Sequence, residues 1–247
     1  MTKGSTWNIW DFHLHTPCSI LNNQFGHPEI EGTWERYIAE IERVSSEKGI
    51  VAIGLTDYFS IEGYKHVLEY KKKGCLSNVL VFPNIEFRLN TFVHDSKKNG
   101  KRVNIHVLFS PEIPPDKIED KFLHNLDFVY ENEPFEQSET RKLKLSSLTE
   151  FGELLQKQHA KFVGEDALFT GCKNAVVQHE QIKNLLVQSG FKGNYFIVLA
   201  EEDLSTMDWD SQFHAVRKQL IQMSHGILTA NSNSRNFYLG KTHENIE

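Results

Sequence analysis

Cysteine is scarce in this chain. The 247 residues carry three, Cys18, Cys75 and Cys172, odd in number and far apart. That excludes a disulfide framework and points to a reducing compartment, so the chain is expected to be cytoplasmic. Long apolar runs are also lacking. Nothing approaches the roughly 18 consecutive residues that a membrane span needs, and the opening MTKGSTWNIWDFHLH holds no signal-peptide core. Positive charge is not in excess: 27 Lys and Arg stand against 33 Asp and Glu, a formal net charge of −6. This argues against a general polyanion binder but allows a local basic patch. Gly240-Lys241-Thr242 lacks the upstream glycine of a P-loop. No repeat or low-complexity linker marks a domain boundary, so residues 1–247 are read as a single domain. What is present is a hydrophobic fraction of 39% and an aromatic fraction of 11%, including 17 Phe. That suffices for a sizeable core and excludes disorder as the dominant state.

Short apolar runs read as buried strands: Trp7–Phe12, Ile50–Leu55, Val79–Ile85, Val103–Phe109, Tyr195–Ala200 and Gly226–Ala230. Apolar residues at three-to-four spacing predict helices over Trp34–Glu47, Ile61–Lys73, Asp116–Tyr130, Ala175–Gln188 and Trp209–Ser224, with a further helix around Ser147–His159. Strands alternating with helices imply an α/β fold with a mostly parallel sheet. Arg88–Lys101 breaks the alternation. Its polar tip contains Asn99-Gly100, a type I′ turn signal, and reads as a hairpin link between the strand ending near Glu86 and the one carrying His106.

The candidate chemistry sits at the strand ends. His13 and His15 are two apart at the close of an apolar run. In an extended strand such residues point to one side, so two imidazoles can chelate one ion. The run beginning at Val51 closes on Asp57, the run from Val79 closes on Glu86, and Val103-Asn-Ile-His106 sets a histidine in an apolar strand. An apolar strand carries a charged group into a core only with a partner, whereas a strand ending at an active-site mouth carries one freely. Taken singly, Asp57 and Glu86 read equally as caps of the next turn, and His106 as a satisfied core histidine.

The series D-F-H-L-H-T, G-L-T-D-Y, N-I-E-F and N-I-H-V resembles the PHP (polymerase and histidinol phosphatase) family. The resemblance implies a distorted, TIM-like (β/α)7 barrel that binds two or three divalent metals. It makes His13, His15, Glu86 and His106 metal ligands, with Glu86 bridging two ions, and Asp57 an anchor behind them. Tyr58 stands where the family usually has His, which puts a third ion in doubt. The family's later A-H appears as Ala200-Glu201, so Glu201 reads either as an oxygen ligand or as a surface residue after a strand. No D-x-H follows His225, so the barrel is expected to lack or truncate its last strand, with the chain the N-terminal part of a longer one. Tyr195–Leu204 and Asn236–Gly240 resemble the TrlF-like subgroup, in which a PHP domain precedes an SMC/AAA-like ATPase domain; this implies such an ATPase as partner and a nucleic-acid-processing or phage-defence context.

The implied activity is metal-dependent phosphoester hydrolysis, with a nucleic-acid phosphodiester as the first substrate expectation. His-rich ligation suits Zn, Mn or Fe better than Mg. Arg88, two residues after Glu86, and the basic stretch Lys97-Lys98-Asn-Gly-Lys101-Arg102 are candidate phosphate contacts, or a paired cation and a solvated hairpin tip. Two other readings remain at this point. One is a small-molecule phosphomonoester phosphatase. The other is a catalytically degenerate PHP module that acts as scaffold or regulator of an ATPase.

Overall fold

Alternation of side chains along extended backbone builds the central sheet. The computed structural model describes residues 7–94, 100–130, 139–200, 204, 213–229 and 232–241. Its strands are β1 (Ile9–His15), β2 (Ile50–Tyr58), β3 (Leu80–His94), β4 (Gly100–Phe109), β5 (Asp127–Tyr130), β6 (Glu139–Lys142), β7 (Tyr195–Leu199) and β8 (Gly226–Ile227). Its helices are α1 (Thr33–Lys48), α2 (Glu62–Lys72), α3 (Pro115–Lys121), α4 (Leu145–Gln158), α5 (Ala167–Asn174), α6 (His179–Gln188), α7 (Phe213–Met223) and α8 (Ser232–Tyr238). Six strands form one sheet in the order β1-β2-β3-β4-β7-β8, and β5 with β6 forms a separate ribbon. The main sheet is open: among the described residues its edge strands, β1 and β8, do not pair with one another.

The β/α alternation is realised from β1 to β3, where β1, β2 and β3 are mutually parallel. Gly49 ends α1 at φ 68°, in the left-handed region, so the chain turns directly into β2. The mostly parallel sheet then gives way to a mixed one. β3 does not stop near Glu86 but runs on to His94, and β4 returns antiparallel to it. The expected hairpin link is therefore a continuation of the two strands, and its turn lies outside the described residues. β7 is antiparallel to β4, and β8 is parallel to β7.

Two predicted helices are shorter than their apolar spacing suggested. In Asp116–Tyr130 only α3 and one 3-10 turn are helical, and residues 127–130 form β5. Ile118, Phe122 and Leu126 are all buried, but Asp127-Phe-Val-Tyr130 finds ladder partners in Glu139–Lys142. In Ala175–Gln188 the helix begins at His179. Val177 instead bridges Leu89 and Phe128 in extended backbone, its N–H donating to Arg88 O at 2.9 Å. Of the last predicted helix, the first four residues lie outside the described region, Phe213–Met223 form α7, and Ser224 follows it. β8 stops at Ile227, short of Ala230.

The sheet's two faces differ in kind. Ile53, Leu55, Ile85, Phe87, Ile105, Val107, Phe109 and Leu199 occupy one face, and all are buried. Phe87 and Phe109 meet Phe122 at ring centroid distances of 5.8 and 5.2 Å, and Phe109 meets Phe191 at 5.1 Å, so aromatics from the segments that follow α3 and α6 cover this face. Residues one step out of phase, Tyr58, Asn84, Glu86, Arg88, Asn104 and His106, occupy the other face.

Candidate metal centre

A bulge in β1 brings the first two candidates to this second face. Trp10 pairs with Ala52 and His15 with Thr56, so β1 uses one residue more than β2 between those points. Asp11 Oδ1 accepts the His13 N–H at 3.1 Å and thereby satisfies a donor at the irregularity. Strict alternation from Trp10 and Phe12 would have turned His13 and His15 into the helix-covered face. The extra residue puts them with Glu86 instead.

Glu86 and His106 lie directly opposite in the β3–β4 ladder. His13, Glu86 and His106 each bring one ligand-type atom within 4.8 Å of the other two. His15 joins them: its Nε2 lies 3.2 Å from His13 Nε2 and 3.4 Å from Glu86 Oε2, and His13 Nε2 lies 3.6 Å from the same oxygen. The strands thus gather His13, His15, Glu86 and His106. Glu201 lies outside the described residues.

The surroundings hold each group in one orientation. Tyr58 Oη donates to Glu86 Oε1, and Asn104 Nδ2 donates to the same oxygen at 2.8 Å. That leaves Oε2 facing the histidines, buried and without a hydrogen-bond partner. Ser19 Oγ spends its only hydrogen on Leu21 O at 2.7 Å, so at 3.0 Å from His15 Nδ1 it accepts. His15 therefore carries its proton on Nδ1 and a lone pair on Nε2. Asn84 Nδ2 packs 3.1 Å from His106 Nδ1, and His106 Nε2 is buried with no hydrogen-bond partner. The Tyr58 ring stacks on His15, with centroids 5.7 Å apart and planes 10° from parallel.

Electrostatics agree with this geometry. Burial pushes the His15 imidazole below its ordinary value, outweighing the pull of Glu86. Burial likewise pushes His106 down to about 3, so it is neutral at neutral pH. Burial raises the Glu86 carboxyl, but the nearby His13 imidazole, the His106 charge felt in acid and the Tyr58 bond outweigh it and hold it at about 2. The result is an ionised carboxylate oxygen facing an imidazole lone pair at 3.4 Å, two acceptors with no hydrogen between them. Such a pair repels unless a cation, or the His13 Nε2–H at 3.2 and 3.6 Å from the two atoms, sits with it. Tetrahedral N and O ligands about 2.1 Å from one ion stand roughly 3.4 Å apart, so separations of 3.2, 3.4 and 3.6 Å fit a shared ion. The residues therefore fit a divalent metal, with Glu86 offering Oε2 while two donors occupy Oε1.

Asp57 and Arg88 are not among these candidate ligands. Asp57 is on the helix-covered face, one step out of phase with Tyr58, and fully buried. Its Oδ1 accepts from Thr16 Oγ1 at 2.6 Å and its Oδ2 from the Gly63 N–H at 2.9 Å, tying the end of β1 to the start of α2. Gly63 must be glycine here, since a Cβ would lie 1.9 Å from Thr16 Oγ1. Burial raises the Asp57 carboxyl to about 6 despite these bonds. Arg88 sits two residues along β3 from Glu86. Its guanidinium lies 5.7 Å from the Tyr58 ring centroid, and Nη1 donates to Lys173 O at the end of α5. Beside it opens a cavity of about 360 Å³ lined by Arg88, Lys101, Arg102, Asn104, Lys173 and Asn174. Lys97 and Lys98 lie outside the described residues.

Sequence reasoning passed over Asn104, Asn84 and Ser19. The same two-residue rule that joined His13 to His15 joins Asn104 to His106 and Asn84 to Glu86. Ser19 follows β1 in a loop and carries no such signal.

Comparison with known proteins adds little. No family model matches the chain, and no curated protein does. Among solved structures, it is similar to a protein of Bifidobacterium adolescentis named as a candidate metal-dependent phosphoesterase. That likeness is 12% in sequence identity with a TM-score of 0.42, over 94% of this chain and 82% of the other. No helix among the described residues is long and apolar enough to cross a membrane.

Proposed function

We propose that this chain is a metal-dependent phosphoesterase whose centre is built by His13, His15, Glu86 and His106. The observation that carries the reading is the facing pair, the Glu86 Oε2 carboxylate and the His15 Nε2 lone pair at 3.4 Å. A divalent ion held there supplies charge neutralisation at a phosphate ester and makes water more acidic near neutral pH. The imidazole-rich donor set favours Zn, Mn or Fe over Mg. Tyr58 and Asn104 hold the Glu86 carboxylate in one orientation, Ser19 fixes the His15 tautomer, and Asn84 packs on His106. The His13 side chain is 32% exposed while that of Glu86 is 3% exposed, so substrate reaches the centre from the β1 side.

For substrate, we favour the phosphodiester of a nucleic acid over a small phosphomonoester, because the cationic cavity beside the centre gives a longer anion a second place to lie. The test is hydrolysis of bis-p-nitrophenyl phosphate and of a single-stranded oligonucleotide with Mn²⁺ or Zn²⁺, with and without EDTA. Metal-dependent cleavage of both, abolished by chelator, is the expected result. Cleavage that persists in chelator, or none with any of these metals, overturns the reading.

A further inference from the structure

The cavity between β3, β4 and α5 has an unusual lining for an acidic chain. Arg88 comes from β3, Lys101, Arg102 and Asn104 from β4, and Lys173 and Asn174 from the end of α5. Among the described residues four cations and two amides line it and no carboxylate does, although the whole chain carries a net charge of −6. Four like charges gathered in one wall favour a polyanion.

Its contacts explain how the cations are held. Arg102 lies 3.9 Å over the Phe92 ring and donates to Asn90 Oδ1 at 2.6 Å. Arg88 uses one N–H on the Lys173 carbonyl and thereby offsets the negative end of α5 beside the cavity. Lys173 reaches Glu165 only at 3.7 Å, with both side chains partly exposed, a weak attachment.

The cavity and the candidate metal centre share a wall. Asn104 Nδ2 donates to Glu86 Oε1 at 2.8 Å and to Tyr58 Oη at 3.1 Å, and the same residue lines the cavity. Arg88 follows Glu86 by two residues on one face of β3, about 6.6 Å along the strand. We infer that this cavity binds the backbone phosphates of a single nucleic-acid strand adjoining the phosphate that meets the metal centre. The assignment of the neighbouring phosphate to the centre rests on the phosphoesterase reading; the cavity's affinity for a strand does not.

The test is therefore made without metal. Fluorescein-labelled dT12 is titrated with the full chain in EDTA, by fluorescence anisotropy across a range of NaCl concentrations. Saturable, salt-sensitive binding is expected. The double variant Lys101→Ala with Lys173→Ala is expected to bind at least about tenfold more weakly near 0.1 M salt and to lower the salt slope by ~1.4, about 0.7 for each lost contact to a single strand. A control pair at the end of α2, Lys72→Ala with Lys73→Ala, is expected to keep the wild-type slope. Thermal melts check that both variants fold. Three results overturn the inference: no binding of dT12 by the wild type, equal weakening in both double variants, or a nucleoside triphosphate binding through Lys101 and Lys173 while dT12 does not. If dT12 binds as expected but no phosphoester is cleaved with any metal, the phosphoesterase reading fails and the strand site stands.

Discussion

Glu86 and Phe87 are neighbours on β3 and belong to different worlds. Phe87 enters a largely apolar face, where the Phe59 and Phe122 rings close over it. Glu86 enters a face where Tyr58, Asn104 and three histidines surround one carboxylate. The first face is built for burial, since each side chain there is stabilised by leaving water. The second buries ionisable groups and leaves two of their atoms without hydrogen bonds. A fold tolerates such a cost at a functional site, where a bound ion offsets it. Consecutive residues of one strand thus separate what holds the chain together from what it does.

Exchanging residues on the two faces is the strongest way to break that contrast. Phe87→Ala is expected to lower folding stability by about 3–5 kcal/mol, because it opens a cavity among packed aromatics. Glu86→Gln, one residue away, is expected to cost the metal-free protein less stability than Phe87→Ala while removing metal binding. Urea unfolding in EDTA, followed by metal titration, reads both effects.

Asp57 is the charged exception on the apolar face, and pH exposes it. Its carboxyl is raised from 3.8 to about 6 by burial. Below about pH 4 it is protonated both folded and unfolded. As pH rises from 4 to 6 the unfolded chain ionises first, so the folded state loses stability relative to it, and above 6 the loss is complete. Wild-type stability relative to Asp57→Asn is therefore expected to fall by up to roughly 3 kcal/mol between pH 4 and pH 7. Parallel unfolding series on the two proteins measure the difference; a difference independent of pH would show that Asp57 is not held protonated by the fold.

A smaller effect lies on the polar face. Tyr58→Phe removes one of the two donors to Glu86 Oε1 but keeps the ring that stacks on His15. Metal affinity is expected to drop about 10- to 100-fold, as for other groups that orient a ligand, with little change in stability. Competition against a chromogenic chelator measures it.

Much of this contrast is legible in the sequence, and the misses have physical causes. His13 and His15 announce themselves by their spacing, and Glu86 and His106 by standing in apolar strands. Their shared face is not legible in the expected way. His13 and His15 do close their strand, but Glu86 and His106 meet in mid-strand, because β3 runs on past Glu86 and β4 returns antiparallel with His106 opposite it. The bulge that turns His13 inward depends on how β1 pairs with β2, which no local pattern records. Asp57 closes its apolar run as Glu86 closes another, yet one step of register sends it to the opposite face. The helix expected through Tyr130 fails because Asp127–Tyr130 finds a strand partner in Glu139–Lys142, a contact invisible to spacing rules.

The central claim is that the polar face holds a divalent ion. Calorimetric titration of the chelator-stripped chain with Zn²⁺ or Mn²⁺ tests it directly, in the wild type and in the His13→Ala, His106→Ala double variant. The account predicts saturable binding by the wild type and its loss in the double variant, with the melting temperature of the wild type rising as metal is added. Wild-type binding that survives unchanged in the double variant, or no wild-type binding up to millimolar metal, would contradict it.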